Sequence, residues 1–432
     1  MKLNDICELI VDCEHKTAPT QPNGYPSVRT PNIGPGFLLL ANVNYVSEET
    51  YRQWTKRAVP KSGDIIMARE APVGNAAIIP KGLKVCLGQR TLLIRVSKSR
   101  ACSRYISYFL NGPAIQNLIH GLTNGATVPH LNMKDVRNLP LPLLPDISTQ
   151  RKIAAILSAY DDLIENNLRR IKILEEMAQN LYREWFVKFR FPGYENAKFV
   201  DSPLGMIPEG WELRPLANLI NSHIGGGWGK EEEDSKHKVP GYVIRGTDIP
   251  KAKHCQTDTI PYRYHTVSNV RSRKLAVGDI VFEVSGGSKD QPLGRTLLIT
   301  EPLLRSLNTD TICASFCKRI EPNYAEYGSE LMYLSFVDGY TSGEIEEYQV
   351  QSTGISNFKW TDYINNTLRV IPPTPLRTSF RNLVSPFLTQ LATIGTINTK
   401  LRRSRDFLLP KLISGEVDVS DLNIKVSEEV FE

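Results

Sequence analysis

Hydrophobic residues follow two rhythms along this chain. Through residues 1–145 they form short runs, such as Asp64-Ile65-Ile66-Met67, Ala76-Ala77-Ile78-Ile79 and Thr91-Leu92-Leu93-Ile94-Arg95-Val96, cut apart by glycine and proline turns. Runs of this length bounded by turn residues predict strands. One helix is expected at Ser103 to Leu110, extending toward Ile119. Leu139-Pro140-Leu141-Pro142-Leu143-Leu144-Pro145 then predicts an extended segment, because each proline biases its predecessor away from helical backbone. Beyond it the rhythm changes. No glycine or proline occurs until Pro192, and apolar residues at 153, 156, 157, 160, 163, 164, 168, 171, 174, 177 and 181 keep helical spacing. With Asp146 or Ser148 as N-cap, a helix over 148–186 would be roughly 58 Å long. Its apolar stripe requires a second helix to cover it.

The second half of the chain repeats the first. A constant shift of 227 positions carries Val128 onto Ile355, Leu131 onto Phe358, Asp135 onto Asp362, Leu143 onto Val370 and Pro145 onto Pro372. The same shift carries Ile153 onto Phe380, Leu157 onto Val384, Tyr160 onto Phe387, Ile164 onto Leu391, Leu174 onto Leu401 and Leu181 onto Leu408. Upstream the offset drifts, with Gly63-Asp64-Ile65-Ile66 matching Gly278-Asp279-Ile280-Val281 and Pro72-Val73-Gly74 matching Pro292-Leu293-Gly294. A unit this long is a duplicated globular domain plus a helix, not a solenoid repeat. The boundaries read as a first domain at 1–145, a first long helix at 146–192, a Pro/Gly-rich linker at 193–210, a second domain at 211–375, a second helix at 376–415 and a tail at 416–432. The two helices should pack antiparallel. Pro386 is expected to kink or delay the second one, and Pro410 to end or break its last turn.

Length allows two to three domains, and 41% hydrophobic with 23% charged residues is ordinary for a globular protein. No run is long enough to span a bilayer, and Met1-Lys2-Leu3-Asn4-Asp5 lacks a signal-peptide core, so a cytoplasmic protein is expected. Seven scattered cysteines suggest reduced thiols. Cys313 and Cys317 read as core residues on one face of a single strand, about 13 Å apart, and not as half a metal site with His254-Cys255. Charge is uneven. Residues 1–145 carry 17 Lys+Arg against 9 Asp+Glu, the balance of a polyanion binder, whereas residues 193–375 carry 19 against 23. Part of that deficit is the run Glu231-Glu232-Glu233-Asp234, read as a solvated loop.

Enzyme signatures are missing. There is no G-x-x-x-x-G-K-[ST], no Asn/Asp-Pro-Pro-Tyr/Phe and no glycine fingerprint for S-adenosylmethionine. Gly225-Gly226-Gly227-Trp228-Gly229 reads as a flexible loop. Asp279 and Glu283 resemble paired nuclease carboxylates, but Ser285 stands where a lysine is usual and the first copy offers Ala68-Arg69 instead. A structural turn is the better reading. No catalytic residue and no metal site are assigned.

The chain resembles, end to end, the DNA-specificity (S) subunit of type I restriction–modification systems. The resemblance rests on Gly63-Asp64-Ile65-Ile66 with Pro72-Val73-Gly74, on the prolines of 139–145, on Gln150-Arg151-Lys152-Ile153-Ala154-Ala155-Ile156-Leu157, on Ala178-Gln179-Asn180-Leu181-Tyr182-Arg183-Glu184-Trp185-Phe186, and on Phe407-Leu408-Leu409-Pro410-Lys411-Leu412-Ile413-Ser414-Gly415-Glu416. It implies an α+β fold: two pseudo-symmetric α/β target-recognition domains separated by two long antiparallel helices. It also implies a non-catalytic subunit in which each domain reads half of a split site in double-stranded DNA. The helices would set the gap between halves and dock two methyltransferase subunits, with restriction/translocase subunits joining. S-adenosylmethionine, ATP and Mg would belong to those partners, and this chain would hold no cofactor.

Base readout needs polar side chains on loops, and phosphate contacts need surface Lys or Arg. In the first domain the candidates are Arg29, Arg57, Lys61, Arg69 and Arg90, with His130 and Asn132 in the loop 123–132. In the second they are Trp228, Lys230, Arg245, Arg271, Arg273, Lys274, Ser285, Lys289, Arg295 and Lys359. Arg69 and the loop 285–289 stand out because both follow the matched Gly-Asp strand. The partner-binding helix positions are Ile153, Leu157, Tyr160, Ile164, Leu174, Leu181, Phe380, Val384, Phe387, Leu391, Leu401 and Leu408. Competing readings are a nuclease using Asp279 and Glu283, a two-domain protein–protein adaptor, and a specificity module of another phage-defence complex.

Overall fold

The structure, a computed structural model, describes residues 1–123, 129–286, 291–352 and 355–426. It divides into two compact units, one of residues 1–163 with 402–432 and one of residues 164–401. Both cuts fall inside long helices, so each unit holds one sheet-bearing domain and parts of both helices.

In the first unit a four-stranded antiparallel sheet has the order Cys7–Asp12, Thr91–Val96, Ile65–Ala68, Ala76–Ile78. A second sheet places Tyr25–Val28 between Asn44–Val46, antiparallel, and Cys86–Leu87, parallel. The second unit repeats both sheets. Its four strands run Ile220–Gly225, Cys317–Pro322, Ile280–Glu283, Thr296–Leu298. Its three run Tyr262–His265, Val239–Ile244, Thr311–Cys313, with the same antiparallel and parallel pairings. The duplication read from the residues is therefore a duplication of topology.

The central strand explains its continuous apolar run. Ile65 and Met67 point into the core beneath helix Ser103–Asn111, while Ile66 and Ala68 point into a second core with Val28 and Leu87. Both faces are buried, so alternation disappears. In the second unit Ile280 and Phe282 face one core and Val281 another. Each central strand starts from the same turn. Gly63 (φ 83°) and Gly278 (φ 93°) take left-handed backbone, and the following aspartate accepts a backbone N–H three residues upstream, Lys61 at 2.8 Å and Ala276 at 2.7 Å. Arg95 then donates through Nε to Asp64 at 2.9 Å, and Arg319 through Nε to Asp279 at 2.7 Å.

The proline run 139–145 is extended, as its prolines require. Leu139 accepts from Leu3 N at 2.9 Å and Leu141 N donates to Met1 O at 2.8 Å. The first long helix is Ile147–Tyr182, its amino end capped by Asp146 Oδ1 on Thr149 N at 3.0 Å, and it passes into a π-helical turn at Arg183–Val187. The second is Thr374–Ser414, ended by left-handed Gly415. The helix begins at Thr374 with no delay at Pro386 and continues through Pro410 to Ser414, which overturns the expected delay and the expected break. Both prolines sit on exposed faces, where water can take up the carbonyl that each leaves without a donor.

Within the first unit, Ile153 and Leu157 bury with Leu412 and the half-buried Leu408, and Arg405 reaches Asp161 at 2.5 Å. Within the second, Ile171 packs on Leu391 and Ile394, with Leu174 beside them, and Phe186 meets Phe380 edge-on at 4.7 Å between centroids. Rising numbers on one helix meet falling numbers on the other, so the helices are antiparallel. One polar pair interrupts this seam: Asn167 Nδ2 donates to Asn398 Oδ1 at 2.8 Å, with both side chains almost wholly buried.

Two further expectations change. Cys313 and Cys317 do not share one strand; they end one strand and begin another across a turn, both still in the core. Residues 225–229 are not a flexible loop but a packed one. A Cβ at Gly226 would lie 2.2 Å from the carbonyl oxygens of Cys313 and Ala314, and one at Gly229 would lie 2.6 Å from Tyr264 O. All seven cysteines are unpaired.

Two outcomes follow. Asn398→Ala strands the Asn167 amide in the helix seam and should cost about 1–3 kcal/mol in denaturant unfolding. Replacing both asparagines by leucine should restore stability while letting the helices slip in register, which crosslinking of paired cysteines along the seam reads directly. Gly226→Ala should lower the thermal midpoint by several degrees, since backbone and not a movable side chain blocks its methyl.

Candidate nucleic-acid interface

Strand direction gathers most of the candidate residues of the first unit at one sheet edge. Asp12 and Met67 both pair with Leu92, so the ends of the strands Cys7–Asp12 and Ile65–Ala68 lie level. At this edge Arg57 Nη1 donates to Cys13 O at 3.1 Å, and its Nε lies 3.4 Å from Glu14. Arg90, in left-handed backbone, pairs with Glu70 at 2.9 Å. Glu70 bridges to the half-buried His130, and Asn132 is exposed two residues on. Arg29 is exposed beside the Gly88 turn. Lys61 is not here: it precedes the central strand, at the opposite end. Residues 124–128 of the loop 123–132 lie outside the described residues.

Arg69 has a different part. Its side chain is only 12% exposed, with Nη1 at 2.5 Å from Asp12 and Nε donating to Leu131 O at 2.9 Å. A guanidinium this enclosed requires partners, and these tie three segments together. It shapes the edge and presents little charge of its own. The sequence reading missed His15 and Lys16, exposed just past the first strand's end. Their only signal was position directly after a strand that has a counterpart in the other copy. Asp12, Cys13 and His15 also bring three potential metal ligands within 4.8 Å of one another. Asp12 is already paired with Arg69, and burial pushes the Cys13 thiol up, so the cluster serves the turn.

The second unit has the matching edge. Gly225 and Phe282 both pair with Lys318, setting those two strand ends level. The packed glycine loop projects Trp228, 41% exposed, over the Arg263 guanidinium at 5.1 Å. Arg263, another residue absent from the sequence candidates, pairs with Glu231 at 2.9 Å. Lys230 pairs with Asp234 at 2.9 Å, and Arg273 donates to Gly225 O at 2.9 Å. Ser285 Oγ donates to Asn357 Oδ1 at 2.9 Å. Arg245 pairs with Asp248 at 2.8 Å, and Lys274 with Asp310 at 2.5 Å. Arg271 and Lys359 are exposed. Lys289 lies outside the described residues.

Arg295 is a counterpart to Arg69 in burial. It is 11% exposed and donates through Nε to Glu283 at 2.8 Å. With Asp279 held by Arg319, both carboxylates of the nuclease reading are enclosed, at 3% and 4% side-chain exposure, and neutralised by arginine. A catalytic metal needs carboxylate oxygens facing an open position, and these do not.

The helix candidates are occupied within the chain. Ile153, Leu157, Ile164, Phe380, Val384 and Leu391 are buried, and Tyr160, Leu174, Leu181, Phe387, Leu401 and Leu408 half-buried. The six buried ones are covered within the chain, and the six half-buried ones keep part of their surface open. The exposed apolar helix side chains are others: Leu163, Leu168, Ile173, Met177, Leu383, Ile397 and Phe407. No helix among the described residues is long and apolar enough to cross a membrane.

Residues 1–176 match the family model described as the type I restriction modification DNA specificity domain. The type I restriction enzyme MjaIX specificity subunit of Methanocaldococcus jannaschii is 26% identical over 404 residues, covering 89% of this chain and 86% of that one. The HindI specificity subunit of Haemophilus influenzae is 39% identical over 67 residues, 16% of this chain and 14% of that one. In fold, the chain is similar to the crystal structure of the type I restriction–modification S subunit from M. genitalium, with a TM-score of 0.57 and 14% identity, covering 95% of each chain. Residues 1–176 thus match the type I restriction modification DNA specificity domain, and over most of its length the chain is similar to a type I specificity subunit.

Proposed function

We propose that this chain is the DNA sequence-specificity subunit of a type I restriction–modification complex. Each duplicated domain reads one half of a bipartite site in double-stranded DNA, and the two long helices set the spacing and dock two methyltransferase subunits. The observation that carries the reading is the duplicated sheet with a basic or aromatic loop edge at the same strand ends in both copies. A repeated fold with different edge residues suits two different half-sites. The first edge offers Arg29, Arg57 and Arg90 for phosphate and base contacts; the second offers Trp228, Arg263 and Ser285. A change of one helical turn moves a domain by roughly 5.4 Å, about one to two base pairs, so helix length acts as a ruler. The chain itself is non-catalytic in this reading. S-adenosylmethionine is held by the methyltransferase subunits, and ATP with Mg by the restriction/translocase subunits, inside the cell.

Methylation mapping of a host genome, with and without this chain beside its methyltransferase, tests the proposal. A two-part methylated sequence with a fixed gap should be present and should vanish on deletion; unchanged methylation would refute the specificity role. Trp228→Ala should relax discrimination in one half-site only, with mismatches there tolerated about tenfold better, the scale of one lost base contact. Loss of discrimination in both halves, or in neither, would remove Trp228 from the reading edge.

A further inference from the structure

The end of the first sheet opposite the reading edge holds a cleft that the function above does not use. The central strand Ile65–Ala68 begins beside it, and Arg69 and Arg90 lie at the strand's other end. Lys81, Lys98, Arg104 and Arg151 line the cleft, with Ser103 and Ile147, and no carboxylate is among its lining residues. Elsewhere in this unit the enclosed cations have acidic partners, as Arg69 has Asp12, Arg95 has Asp64 and Arg405 has Asp161. Arg104 breaks that pattern: its Nε is enclosed and has no hydrogen-bond partner among the described residues. An enclosed guanidinium nitrogen left unpaired beside further cations calls for an anion from outside the chain.

The position of the cleft narrows the source. Ile147 and Arg151 lie within the first five residues of the long helix, so one wall of the cleft is the start of the element that docks protein partners. The DNA-reading residues sit at the far end of the strand. We infer that the cleft is a carboxylate socket, taking aspartate or glutamate side chains from an acidic segment of the methyltransferase subunit. Ser103 and the guanidinium groups of Arg104 and Arg151 supply the donors that a carboxylate needs, and Arg forks match it two bonds at a time. The inference rests on the specificity-subunit reading.

The test is titration of the full-length chain with its methyltransferase subunit at low and moderate salt. Lys98→Gln/Arg151→Gln alters two exposed side chains and so leaves the core intact. It should weaken assembly at least tenfold and make affinity less sensitive to salt, whereas Lys2→Gln/Lys84→Gln, the same charge change on exposed positions outside the cleft's lining, should do neither. The methylated sequence produced by complexes assembled at high concentration should be unchanged. Equal affinity for the methyltransferase, or equal loss in both variants, overturns the socket. Intact assembly with weaker DNA binding and a shallower salt slope also overturns it, by making the cleft a phosphate site. Absence of a bipartite methylated sequence from the unaltered chain would instead sink the specificity reading, and the socket with it.

Discussion

Each domain is organised around a short strand buried on both faces. Residues 65–68 and 280–283 have no solvent side, so their sheets must supply two cores, and everything packed above and below takes its place from them. A strand so enclosed needs a fixed starting point. An aspartate supplies it in both copies by closing the preceding turn and accepting from an arginine on the neighbouring strand. Breaking such an enclosed pair by removing the arginine leaves a buried carboxylate, a penalty of about 3–5 kcal/mol. Burial indeed pushes the Asp279 carboxyl up, against the opposing pull of Ala276 N–H and Arg319.

Starting the strand at a fixed point also fixes where it ends. Because the first and third strands of each sheet both run antiparallel to the second, their ends emerge level, and the loops that follow share one edge. The residues at that edge can then differ between the copies without disturbing the core. The first copy fills it with arginines braced by Asp12, Glu14 and Glu70; the second fills it with a glycine loop that holds Trp228 against Arg263. Rigid scaffolds carrying variable loops are a common way to separate stability from recognition.

The long helices face another constraint. An apolar stripe of this length gives little register information, because one turn's slip still buries leucine against leucine. Asn167 and Asn398 supply that information, since only the native register joins their amides. The prolines at 386 and 410 are tolerated for a reason that depends on facing. Each lies on the solvent side, where a missing backbone donor costs far less than in the seam.

Much of this architecture was legible in the sequence. Apolar runs, helical spacing and the shift of 227 positions determined the strands, the long helices and the duplication, because these depend on local backbone preference and on which face of an element is apolar. Family resemblance rested on the same local signals. What only the tertiary structure decided was which charges remain available. Arg69 and Arg57 look alike in sequence, yet Arg69 is enclosed against Asp12, 57 residues away, while Arg57 stays half exposed. Gly226 reads from sequence as part of a flexible loop, yet the carbonyls of Cys313 and Ala314 close over it. Pairing and close approach are made between residues distant along the chain, and local pattern carries no record of them until the strands come together.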